Sequence, residues 1–199
     1  MPTPPGRPAA RSRKGVSRVY LAVPRLRDEA IFLAAAHASR RLHGRWVRAP
    51  QSPARFREYV ARFGVPVRRD PMRATHAGVL VRRREDDALV GVFNLSEIVR
   101  GSFYSAYLGY YAFAPHAGAG YMAEGLALAL EFAFRTLKLH RVEVNVQPGN
   151  TRSRALVEAA GFVHEGYSRR YLRIGGRWRD HVRYARVVED WRARRKPRR

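Results

Sequence analysis

The chain has 199 residues, 46% of them hydrophobic, so it is long enough for one domain with a buried core and too apolar to be disordered throughout. It has no cysteine, which excludes disulfides, thiolate metal sites and a cysteine nucleophile. The formal net charge of +23 points to polyanions as partners; arginine supplies nearly all of the positive charge, lysine appearing only at Lys14, Lys138 and Lys196.

Part of that charge lies at the ends. Residues 1–18 carry five bases and no acid, and residues 191–199 carry six bases and no acid. The body between them is still basic. Its surface is either compositionally biased or RNA-facing, and both alternatives stay open. Residues 1–18 and 192–199 are expected to be basic tails around a single domain spanning 19–191. The N-terminus lacks the apolar stretch of a secretory signal, and no apolar run approaches a membrane span. A cytoplasmic protein with no membrane partner is expected.

In chain order, VYLAV (19–23) is predicted as a strand, and Ile31, Leu33, Ala34, Ala35 and Ala38 give residues 27–42 a helical period. A second helix is predicted over 52–64, with Ser52 as N-cap, Pro53 at its first position and Gly64 as its stop. Residues 76–84 and 88–98 read as an antiparallel hairpin across Glu85-Asp86-Asp87, and 102–113 as a third long strand. Met122, Leu126, Leu130, Ala133 and Leu137 predict an amphipathic helix over 120–138. RVEVNVQ (141–147) alternates as a strand, Asn150 caps a helix that Gly161 ends, and strands over 162–174 and 177–187 join at Gly175-Gly176. The fold class is α+β, a sheet of about seven mostly antiparallel strands with helices on both faces.

Two stretches carry chemistry. Gly118-Ala119-Gly120 lies where a strand hands over to a helix. Such a turn is either a plain tight connection or an anion cradle, in which unpaired amides and the helix dipole face a phosphate. It is neither a dinucleotide fingerprint nor a P-loop. The second stretch is VNVQPGNTRSRALVEAAGF (144–162), where Ser153 falls in the first turn after the Asn150 cap. The seven histidines show no ligand spacing, so no metal is expected. His116, beside the glycines, either touches phosphate or sits in an ordinary surface loop.

Together the glycine turn and N-x-x-S-x-x-L-x-x-x-x-G-F resemble the GNAT acetyltransferase superfamily. IVRGSFYSAYLGY (98–110), GFVHEGYSRRYLRIGGRWRDHVRYA (161–185) and Asp190-Trp191 resemble its branch that acetylates the N-termini of ribosomal proteins. The resemblance covers roughly residues 19–191 and is weakest before residue 88. It implies a central sheet whose middle strands splay apart to admit acetyl-coenzyme A as co-substrate. Gly118, Ala119, Gly120 and Tyr121 would contact its pyrophosphate. The backbone of Tyr110, Tyr111, Ala112 and Phe113, with Asn145 and Asn150, would line its pantetheine arm. SRRLHGRWV (39–47) resembles an acceptor-side loop, so Trp46 either lines the acceptor pocket or packs in the core. Pro115 departs from the Gln or Arg common three residues before the first glycine.

The implied reaction is direct attack of an amine on the thioester. An α-amine with pKa near 7.7–8.0 is roughly a tenth neutral at pH 7, whereas a lysine is neutral at about one part in 2,500, so an N-terminal acceptor demands little of a base. Glu97 is the candidate base, or else a solvated strand-end carboxylate. Ser153 and Tyr171 are rival acids for the leaving thiolate. The expected partner is a protein N-terminus, with contact to the ribosome or rRNA through the basic surface and tails. A small-amine acetyltransferase and a non-catalytic RNA-binding protein are the alternatives.

Overall fold

The computed structural model describes residues 16–64 and 70–194. Most of both basic termini therefore lies outside the described residues. Seven strands form one sheet: β1 (Val19–Ala22), β2 (Ala77–Arg83), β3 (Leu89–Val99), β4 (Ser105–Ala112), β5 (Arg141–Val146), β6 (Val163–Ile174) and β7 (Arg177–Val187). Their spatial order is β1-β2-β3-β4-β5-β7-β6. Every neighbouring pair is antiparallel except β4 and β5.

The helices are α1 (Glu29–Ala38), α2 (Arg40–His43), α3 (Pro53–Phe63), α4 (Tyr121–Glu131), α5 (Thr151–Ala159) and α6 (Val188–Ala193). No helix among the described residues is long and apolar enough to cross a membrane.

Side chains alternate across each strand, and here both faces of β2 and β3 are covered. Val79, Val81 and Phe93 pack with Leu126, Ala129 and Leu130 of α4 and Val157 of α5. Leu80 and Val92 pack on the opposite face with Phe32 and Ala36 of α1, Phe56 and Tyr59 of α3, and Phe113. Burial on both faces is why β2 reads as a nearly continuous apolar run.

α3 begins as its sequence dictates, with Ser52 Oγ accepting from the Arg55 amide and Pro53 at the first position. The helix predicted over 27–42 is divided. Ser39 Oγ donates to Ala35 O at 2.6 Å and accepts from Ala114 N at 2.9 Å, so it serves the end of β4 instead of continuing the helix. The helix predicted over 120–138 is α-helical only to Glu131 and then widens into a π-helical turn over Phe132–Thr136, where the Leu137 amide reaches back to Phe132 O at 3.0 Å. α6 was not expected; Trp191 anchors it against Phe134 with ring centroids 5.4 Å apart.

At residues 17–18 the chain is tied to α4. The Arg18 guanidinium and amide both bond the Glu124 carboxylate of α4, at 2.6 and 2.7 Å.

Two predictions follow from how α1 and α2 grip β4. Phe32 is fully buried against Phe56, Tyr59 and Phe113, with centroids 4.8–5.4 Å away. Phe32→Ala should lower unfolding stability in urea by about 3–5 kcal/mol. His43 is buried and bonds Ala112 O at 2.8 Å; burial holds its imidazole below the ordinary value of 6.5, against the opposing pull of that carbonyl. Below pH 6.5 the unfolded chain takes up a proton that the folded chain still refuses, so stability falls with falling pH. His43→Gln should flatten the stability profile in that window.

Candidate active site

β4 and β5 pair only at Ser105–Arg141, Ala106–Val142 and Tyr107–Glu143. Beyond Tyr107 they part. β4 stays paired to β3 as far as Ala112, and β5 to β7 as far as Val146. The inner edge of residues 108–112 therefore faces a gap and not a strand. The gap opens into a cleft of about 420 Å³, lined among others by Trp46, Tyr110, Asn145, Ser153, Arg173 and His181.

The sequence-predicted residues divide into three groups. Trp46, Tyr110, Tyr111, Asn145, Asn150 and Ser153 come together in the cleft lining. Trp46 lies on Gly149: a Cβ there would stand 3.4 Å from its Cη2. Asn150 Oδ1 accepts from the Ser153 amide at 3.2 Å, the N-cap the sequence predicts. Ser153 Oγ is 2.6 Å from the Tyr110 hydroxyl, so these side chains bridge the gap from β4 to α5. Burial pushes the Tyr110 phenol up to about 12, with the Ser153 contact opposing. Among the described residues, Asn145 Oδ1 and the Tyr111 hydroxyl are buried without a hydrogen-bond partner.

The second group forms the approach to α4. Ala112 ends β4 and Phe113 follows it, its amide donating to Val90 O at 2.7 Å. Gly118 and Gly120 both adopt left-handed backbone, at φ +87° and +85°. Side chains are disfavoured in that conformation, and a Cβ at Gly118 would meet nothing within 4 Å, leaving the turn open to an approaching group. Gly120 caps the 11-residue α4. Arg18 donates to Ala119 O at 3.1 Å and lies over the Tyr121 ring at 4.5 Å, with Arg83 on the same ring at 5.6 Å. His116 packs edge-on against Tyr121 at 6.2 Å.

The third group lies apart from the cleft lining. Glu97 occupies the register shift near the far end of β3, on a left-handed backbone with φ +49°, 3.4 Å from the Arg62 guanidinium and 3.6 Å from the His76 ring. Tyr171 is 3.2 Å from the Tyr107 hydroxyl; that contact and burial push the Tyr107 phenol up to about 12.

Sequence reasoning gave no role to Arg48, Asn94 or His181, which complete the wall. His181 stood in the quoted 161–185 stretch, but only the sheet turns it toward the gap. A neighbouring groove of about 740 Å³ shares Arg48, Asn94 and Tyr111 with the cleft and adds Arg55, Tyr59 and Arg62. Among the described residues, the lining of the first cleft includes no Asp or Glu.

The geometry fits acetyl-coenzyme A. The open glycine turn at the α4 N-terminus suits a pyrophosphate. The unpaired inner edge of β4 and the orphaned Asn145 oxygen suit the amides of a pantetheine arm. No group of three or more His, Asp or Glu among the described residues could hold a metal ion.

Comparison with known proteins gives the same picture. A family model described as Acetyltransferase (GNAT) domain matches residues 18–163. The [ribosomal protein uS5]-alanine N-acetyltransferase of Escherichia coli K12 is 43% identical over 107 residues, 54% of this chain and 55% of that protein. The chain thus spans about half the length of the curated relatives it matches. A spermidine N(1)-acetyltransferase of Vibrio cholerae is 34% identical over 65 residues, 33% of this chain and 38% of that protein. Among solved structures, Mycobacterium smegmatis RimJ in complex with CoA-disulfide superposes with a TM-score of 0.76 at 27% identity, covering 86% of this chain and 82% of that one. The ribosomal-protein-S5-alanine acetyltransferase of Vibrio fischeri shares the fold, with a TM-score of 0.76 at 21% identity over 92% of this chain and 98% of that one. By its glycine turn, its parted strands and the family match across residues 18–163, this chain belongs to the acetyltransferase (GNAT) domain family.

Proposed function

We propose that the protein transfers an acetyl group from acetyl-coenzyme A to the α-amine of a protein N-terminus, with a ribosomal protein as the first candidate. The carrying observation is the cleft between the parted strands, walled by Trp46, Arg48 and Arg173, with the unpaired edge of β4 leading on to the glycine turn. When bound, acetyl-coenzyme A supplies an activated thioester. The amides of Gly118–Gly120 and the α4 dipole hold the pyrophosphate, and the inner edge of residues 108–112 orients the pantetheine arm. The Ser153–Tyr110 hydroxyl pair returns a proton to the leaving sulfur. Tyr171, which lies outside the cleft lining, supports the wall.

The acceptor class follows from charge. Two arginines and no carboxylate among the described lining residues disfavour a polyamine with several positive charges. The same arginines favour the neutral, nucleophilic form of a single α-amine, because a like charge nearby disfavours the ammonium. The names of curated relatives agree with this acceptor: a [ribosomal protein uS5]-alanine N-acetyltransferase and a putative ribosomal N-acetyltransferase. Spermidine acetyltransferases are also neighbours, and they motivate the second reading, a small-amine enzyme. The basic surface suits delivery to a ribosomal protein already on rRNA, where it would meet attraction and not repulsion.

Calorimetric titration tests the coenzyme half of this reading. Wild type should bind acetyl-coenzyme A with micromolar affinity, and Gly120→Glu should weaken it on the order of 100-fold, because a side chain at φ +85° both strains the turn and brings a negative charge to the phosphates. Failure of the folded wild type to bind would overturn it. For the acceptor, mass-spectrometric assays should give kcat/KM for N-terminal peptides at least ~10-fold above that for spermidine. The reverse order would establish the small-amine reading instead.

A further inference from the structure

Transfer to an amine needs a group that removes a proton. Once the amine nitrogen bonds the carbonyl carbon it carries a positive charge, and it must lose a proton before the intermediate collapses. The ionisable side chains in the cleft lining are Arg48, Arg173, Tyr110, Tyr111 and His181. Arginines stay charged at any working pH. Burial raises both phenols, so they remain protonated and cannot accept. Glu97 is away from the lining and engaged with Arg62 and His76. The imidazole of His181 is left.

Its setting suits the task. His181 lies on β7 with only 3% of its surface exposed. Its Nδ1 is 3.0 Å from Arg179 O. A carbonyl oxygen only accepts, so Nδ1 carries the hydrogen and Nε2 keeps its lone pair. Tyr171 of β6 packs edge-on against the ring, centroids 6.1 Å apart and planes at 61°, and is itself held by Tyr107. Ser168 is the cross-strand partner. Burial holds the imidazole below its ordinary range, with the Arg179 carbonyl and the Asp180 carboxylate opposing. Asp180 is itself engaged by the Tyr167 hydroxyl and the Arg170 amide. The charged groups sharing the wall are Arg48 and Arg173, which also favour the uncharged ring.

We propose that His181 is the proton acceptor of the transfer step, acting through Nε2, and that Tyr171 is the positioning residue that fixes its ring. The inference rests on the acetyltransferase reading. In the step, the amine lone pair forms a bond to the thioester carbonyl carbon and the π pair moves to oxygen. Nε2 takes one N–H proton. The carbonyl reforms as the C–S bond breaks with its pair on sulfur, and the Ser153–Tyr110 hydroxyl pair protonates that sulfur. Solvent then reprotonates the hydroxyls and takes the proton from the imidazolium.

The test compares wild type with His181→Gln, measuring kcat/KM for a peptide acceptor from about pH 5 to 9. In wild type, log kcat/KM should fall with slope one below the α-amine pKa of about 7.7–8.0. It should fall with slope two below the imidazole titration, where amine and base must both be neutral. His181→Gln should show slope one throughout and a kcat on the order of 100-fold lower, with acetyl-coenzyme A affinity unchanged by calorimetry. Added imidazole should restore part of the rate of His181→Ala. Tyr171→Ala should move the lower limb upward as the ring becomes hydrated, while Tyr171→Phe keeps it in place. A His181→Gln enzyme with wild-type kcat and both slopes would overturn the assignment. A wild type that binds acetyl-coenzyme A and acetylates no amine would overturn the acetyltransferase reading itself, and this inference with it.

Discussion

The structure depends on a sheet that is deliberately incomplete. β4 and β5 share three paired positions and then separate, while each keeps its other edge bonded to a neighbour. Backbone N–H and C=O groups away from water demand partners, so a strand edge left open in the middle of a sheet is a standing request for a ligand with amides of its own. The gap persists because both strands are held from outside. The Phe113 amide donates to Val90 O, His43 bonds Ala112 O, and Ser39 takes the Ala114 amide. Across the gap, the Tyr110–Ser153 contact holds α5 at a set distance from β4.

That arrangement separates two jobs. In the proposed function, the grip on an anionic coenzyme falls to the glycine turn and the α4 N-terminus, where backbone groups would do the binding and side chains would obstruct it. The α2–α3 loop and the β6–β7 hairpin supply Trp46, Arg48, Arg173 and His181 to the wall, and the proposed function gives them selection of the acceptor. Arg48 reaches the hairpin itself: a Cβ on Gly175 would stand 2.9 Å from its Nη2. The two acceptor-side segments therefore touch, and a change in one will be felt by the other.

Positive charge acts at more than one range. Near the cleft, arginine discourages ammonium and favours free amine and neutral imidazole. Across the surface, the net charge of +23 favours encounter with polyanions, an effect that salt screens. The two effects suit an acceptor whose amine is singly charged and whose surroundings are anionic.

The sequence by itself determined the seven strands, most of the helices and their order, but not α6, the break between α1 and α2, or the π-helical turn after α4. Alternating Val142, Val144 and Val146, the Ser52-Pro53 and Asn150 caps, and the Gly175-Gly176 turn are local signals, set by backbone sterics and by apolar periodicity within a few residues. The glycine turn was legible for the same reason, since only its backbone matters. The splay was implied by resemblance but could not be read from residues, because it is a relation between β4 and β5 and not a property of either. Glu97 was the candidate base from its place near the end of the strand before the central one, with a solvated carboxylate as the alternative; only the fold shows that it sits beside Arg62 and His76 and outside the cleft lining. His181 gave no local sign, being one of seven scattered histidines. Its chemistry came into being only when β7 paired with β5 and β6, buried the ring, tied Nδ1 to a carbonyl and turned the residue toward the gap. Burial and proton affinity are set by what packs around a group, and that is decided by tertiary structure alone.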